Sequence, residues 1–107
     1  MLPKKNRAST KEVKKIFKEG RSVSSLSLSL KYIKNISEET RISFIAPKNI
    51  AKSAVKRNSL RRLGYSVLRK NIKDFPSGTV GIFIFKKYQD DASILNHEIQ
   101  NLLHKIN

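Results

Sequence analysis

The alternation of apolar and polar side chains divides this chain into short elements. Ser9-Thr10-Lys11-Glu12 has the spacing of a helix capping box. Val13, Ile16 and Phe17 follow at helical spacing, and Gly20 provides a stop, so the pattern predicts a first helix over 10–19. Leu26, Leu28, Leu30 and Tyr32 then alternate with Ser25, Ser27, Ser29 and Lys31, the period of a half-buried strand. After a polar turn from Asn35 to Thr40, residues Arg41 to Ala46 read as a second strand, paired with the first as an antiparallel hairpin and ended by Pro47.

A second helix is predicted over 51–70, with Leu60, Leu63 and Val67 on one face. Arg57, Asn58, Arg61, Arg62, Tyr65 and Arg69 occupy the opposite arc. Gly64 costs about 1 kcal/mol relative to Ala inside a helix, which suggests close packing on a sheet. Pro76-Ser77-Gly78 is a turn. Thr79 to Lys86 is the most apolar strand and is expected to be central. The last helix spans 90–105, with Asp90 and Asp91 at its positive end and Leu95, Ile99, Leu102, Leu103 and Ile106 facing the core. The order αββαβα gives an α+β two-layer sandwich, a small sheet packed by helices.

Charge adds what periodicity does not. The 107 residues, enough for one domain (residues 1–107), carry a net charge of +15. No Asp or Glu occurs from Thr40 to Lys73, a window holding Arg41, Lys48, Lys52, Lys56, Arg57, Arg61, Arg62, Arg69, Lys70 and Lys73. Solvated helix faces ordinarily mix Glu with Lys, so an acid-free block points to a polyanion, nucleic acid above all. Arginine dominates the second helix, and its planar fork suits phosphate oxygens. Lys4, Lys5, Arg7, Lys11, Lys14, Lys15, Lys18 and Arg21 make the first helix region basic too. Phe17 and Tyr32 are candidates for stacking on single-stranded bases, with a core position as the alternative; Val13 and Phe17 could line a cleft against the sheet while Ile16 packs inward.

Other chemistries find little support. There is no cysteine for a disulfide or a Cys-based zinc site, which fits a cytoplasmic protein. His97 and His104 read as surface residues. The eight acids, Glu12, Glu19, Glu38, Glu39, Asp74, Asp90, Asp91 and Glu98, fall mostly at turns and helix ends. That scatter does not suit a two-metal nuclease, so no catalytic or metal-binding residue is expected in the protein. The apolar run Val80 to Phe85 is too short to span a bilayer, the start lacks a signal-peptide core, and neither a membrane nor a small-molecule substrate is expected.

Three stretches resemble the protein component of bacterial ribonuclease P. They are Leu2-Pro3-Lys4-Lys5-Asn6-Arg7, the run from Val13 to Gly20, and Phe44-Ile45-Ala46-Pro47-Lys48 leading into Ala54-Val55-Lys56-Arg57-Asn58-Ser59-Leu60-Arg61-Arg62. The strand Gly81 to Lys87 and the amphipathic last helix also fit. The resemblance implies a small basic subunit of an RNA-based enzyme that removes the 5′ leader from precursor tRNA. Its partners would be ribonuclease P RNA and precursor tRNA, with catalytic Mg2+ held by the RNA and no cofactor bound by the protein alone. Arg57, Asn58, Arg61 and Arg62 match the helix that binds the RNA subunit, Lys48 a basic position before it, and Phe17 an aromatic of the leader cleft. A left-handed crossover between parallel strands is also implied, against the usual right-handed rule. The chain departs from the family pattern where Ser59 replaces a second Arg, Pro47 and Asn49 replace a common Ser and Lys, Val13 replaces an aromatic and Tyr65 replaces an Arg. A structural or ribosomal RNA-binding protein without a processing role is the competing reading.

Overall fold

The structure, a computed structural model, describes residues 10–34, 36 and 38–107. Its elements in chain order are α1 (Thr10–Glu19), β1 (Arg21–Ser24), β2 (Leu28–Ile33), β3 (Arg41–Ile45), α2 (Ala54–Asn71), a 3-10 turn (Ile72–Asp74), β4 (Val80–Phe85) and α3 (Ala92–Ile106). The Ser9 cap, the opening basic cluster and Asn35 of the predicted turn lie outside the described residues. The α+β architecture stands, with one strand more than the pattern predicts.

Strand order in the sheet is β1-β2-β4-β3. β2 pairs antiparallel with β1 and β4, whereas β3 pairs parallel with β4. The expected hairpin between the strands at 26–32 and 41–46 therefore does not form. The reason is the composition of β4, Val-Gly-Ile-Phe-Ile-Phe, apolar on both faces. Such a strand is stable only with neighbours on both sides and cover on both faces. It separates β2 from β3, which therefore lie two strand spacings apart, about 10 Å. β1 escapes the sequence pattern because Arg-Ser-Val-Ser has one apolar residue and is an exposed edge. Leu26 belongs to the turn joining β1 to β2: Ser25 N–H donates to the Leu28 carbonyl at 2.8 Å, and Leu26 is 68% exposed.

The two sheet faces carry different cores. Leu28, Leu30, Tyr32, Ile42, Phe44, Phe83 and Phe85 pack under α2 and α3 in the larger one. Phe44 is its centre, stacked on Phe83 at 5.0 Å and edge-on to Tyr65 at 5.3 Å. Gly64 is required here, since a Cβ on it would lie 2.7 Å from the Phe44 ring. α2 and α3 are tied by the Asn71 amide, which donates to the Asn96 side-chain oxygen at 2.8 Å. On the other face α1 sets Ile16 onto Val80 and Ile82, so the sheet has helices on both sides. Burying an isoleucine in full contributes about 1.5–3 kcal/mol, a large share of what seats a ten-residue helix.

Each boundary has a local cause. Ser53 caps α2 by accepting from Lys56 N–H, which starts that helix at 54 instead of 51. Asp91 caps α3 by accepting from Ile94 N–H at 3.1 Å. Gly78 takes a φ of 72° in the turn before β4, a conformation few other residues adopt. The buried Glu98 carboxylate accepts from the Ser25 hydroxyl and from Ser27 N–H, fixing the β1–β2 turn against α3.

Candidate nucleic-acid interface

α2 enters the structure with its apolar stripe on the sheet and its cations outward. Leu60, Gly64, Val67, Leu68 and Asn71 are buried, while Lys56, Asn58, Arg62 and Arg69 are exposed and Arg57 and Arg61 half-buried. Lys48 and Lys52 are exposed in the segment leading into the helix, so all eight basic or amide positions named from the sequence sit on one stretch, 48–69. Among the described residues no carboxylate pairs with Lys48, Lys52, Lys56, Arg57, Arg61 or Arg62; the ion pair seen joins Arg41 to Glu12 at 3.3 Å, away from this face. Asn58, Arg61, Arg62 and the edge of Tyr65 line a hollow of about 240 Å³. Arg61 Nη1 donates to the Asn58 side-chain oxygen at 3.4 Å.

Two positions within the helix differ from expectation. Tyr65, placed on the basic arc by its spacing, is only 3% exposed. Its ring turns under the helix onto Phe44, and its hydroxyl accepts from Phe44 N–H at 3.1 Å. A tyrosine is long enough to reach the core from the flank of a helix, and an edge strand offers a free N–H to meet it. Arg57 does not stand free either: its Nη1 donates to the carbonyls of Ala51 at 3.0 Å and Lys52 at 2.8 Å.

The opposite sheet face is only partly roofed. α1 covers Val80 and Ile82, and around it Lys31, Ile33, Ser43, Ile45 and Ile84 remain half-buried. Phe17 is 48% exposed at the rim of this opening, with Lys31 Nζ 5.0 Å from the centre of its ring. The core alternative for Phe17 is therefore removed. Val13 packs at the margin of the Ile16 cluster, half-buried on the same helix. Tyr32 does not join them. It is 6% exposed and points to the far face, into the larger core, because its strand neighbours Leu28 and Leu30 share its parity. Lys31, one residue earlier, is the β2 residue that meets Phe17. Sequence reasoning missed it, although the alternation of β2 puts Lys31 and Ile33 opposite Tyr32.

His97 and His104 are both exposed on α3. Among the described residues no three His, Asp or Glu side chains gather in a group that could hold a metal ion. Among the same residues no helix is long and apolar enough to cross a membrane.

Comparison with known proteins bears on this arrangement. The ribonuclease P protein of Thermotoga maritima superimposes with a TM-score of 0.81 at 24% identity, over 94% of this chain and 97% of that one. The ribonuclease P protein of Staphylococcus aureus does so with a TM-score of 0.77 at 16% identity, over 94% and 95%. At these identities the likeness establishes the fold. No curated protein sequence matches the chain. The sequence model of the family described as Ribonuclease P matches residues 2–107. With that match over nearly its whole length, the chain belongs to the ribonuclease P protein family.

Proposed function

We propose that the protein is the RNA-binding subunit of ribonuclease P, and that it carries two separate RNA surfaces. The exposed face of α2 with Lys48 and Lys52 meets phosphates of the RNA subunit. The half-open sheet face, with Phe17, Val13 and Lys31, takes the single-stranded leader of precursor tRNA, with the Phe17 ring available for stacking and Lys31 for a phosphate. The observation that carries this reading is the cationic stretch itself: Lys48, Lys52, Lys56, Arg57, Arg61 and Arg62 have no carboxylate partner among the described residues, in a chain of the ribonuclease P family. Such a face is stabilised by a polyanion and otherwise repels itself.

The protein's contribution is binding and charge screening between two RNAs. Cleavage of the 5′ leader is assigned to the RNA with its magnesium ions, and the protein to holding the two RNAs together. Reconstitution with the cognate ribonuclease P RNA at low magnesium tests the proposal. The expected result is restored cleavage of precursor tRNA. Tight RNA binding without restored cleavage would favour a structural RNA-binding role, and no binding of that RNA would overturn the proposal.

A further inference from the structure

The path of the chain into α2 raises a specific question. Pro47 ends β3, and the helix begins at Ala54. Between them the carbonyl of Pro47 accepts from Ile50 N–H at 3.0 Å and from Ala51 N–H at 3.3 Å, closing a turn. Ala51 is buried and Ile50 packs on the larger core, so the turn is seated from below by apolar contacts. The carbonyls of Ala51 and Lys52 precede the Ser53 cap and have no place in the helical ladder. Arg57, one turn into α2, reaches back and places Nη1 on both. That single nitrogen has two hydrogens, and both are committed to the backbone.

We infer that Arg57 is a positioning residue: it clamps the 47–52 turn onto α2 so that Lys48 and Lys52 present one continuous cationic surface with the helix. This deepens the proposed function and rests on it for its RNA readout. The geometry distinguishes Arg57 from its neighbours. Lys48, Lys52, Lys56 and Arg62 project into solvent, whereas Arg57 is half-buried and already bonded. A phosphate ligand needs free donors facing outward. A clamp needs donors facing the protein, and Nη1 has that arrangement, with two of the five guanidinium hydrogens spent on the backbone.

The clamp is tested first without RNA. In Arg57→Ala, amide hydrogen exchange at Ile50 and Ala51 is expected to accelerate about tenfold or more, while Leu60 to Leu68 keep their protection. The second test is a double-mutant cycle on binding of the cognate ribonuclease P RNA. Replacing Lys48 and Lys52 together by Ala should weaken binding about tenfold in the parent protein and less than about twofold in the Arg57→Ala background. The salt dependence of Arg57→Ala should likewise fall by that of about two contacts, those of Lys48 and Lys52, where a lone phosphate ligand would remove about one. Unchanged exchange at Ile50 and Ala51, or additive costs in the cycle, would overturn the inference. Failure of the parent protein to bind the RNA would sink the proposed function instead and leave the exchange result to judge the clamp.

Discussion

A single hydroxyl on α2 shows how residue-scale contacts decide what the helix can offer to a partner. Tyr65 gives its ring to Phe44 and its oxygen to an edge-strand N–H. Tyr65→Phe leaves that N–H unpaired in the core and should cost about 1–3 kcal/mol in denaturant unfolding. RNA affinity should be nearly unchanged, and a large loss of affinity with stability intact would return Tyr65 to the interface. Gly64→Ala gains about 1 kcal/mol of helix propensity but drives a methyl into the Phe44 ring, 2.7 Å away. The steric term should win, lowering stability by about 1–3 kcal/mol; a more stable variant would contradict the packing described. The role of Gly64 was readable in the sequence as an exception to helix preference. That of Tyr65 was not. Five residues from Leu60 is about 140° around the helix, which spacing alone assigns to solvent. Only the length of the side chain brings it back.

At the scale of elements, α1 and α2 lie on opposite faces of one sheet, so the two proposed RNA surfaces should be separable. Phe17→Ala removes a side chain that is half in solvent, so the fold should survive with a loss under about 1 kcal/mol. The preference of the reconstituted enzyme for precursor over leaderless tRNA should fall, because a stacking contact is worth roughly 1–3 kcal/mol. Normal discrimination by a well-folded variant would move the leader elsewhere. Ser59 is exposed on α2 where the family pattern has an arginine. Ser59→Arg should therefore steepen the salt dependence of RNA binding by about one contact. An unchanged slope would mean that position 59 faces away from the RNA. The helices could be read to within a few residues because caps and periodicity are local. The pairing of β2 and β3 could not, because alternation says which face a strand buries but not which strand lies beside it. The mark of the true arrangement was in β4, whose apolar run on both faces demands two neighbours, and that demand excludes a hairpin between the other two.

For the molecule as a whole, charge and architecture act together. With +15 on 107 residues, association with RNA should depend steeply on salt. About 6–8 phosphate contacts give a slope near −0.9 per contact on a duplex. Nearly salt-independent affinity would contradict the electrostatic reading. The acids are scattered, so Asp74→Asn and Asp90→Asn should leave cleavage by the reconstituted enzyme within a few-fold. A thousandfold loss with folding and binding intact would reveal a carboxylate that takes part in the chemistry. The central place of β4 also sets an order of events during synthesis. β2 and β3 leave the ribosome first, yet neither has the other for a partner. Making residues 46–85 takes about 2–8 s at ordinary translation rates. Through that interval Ile42 and Phe44 have no sheet to join, and only the two-stranded β1–β2 ribbon can form, which is marginal by itself. A released chain truncated before residue 80 would thus display its most basic helix and an unclosed apolar strand together, making it a natural client for chaperones and proteases.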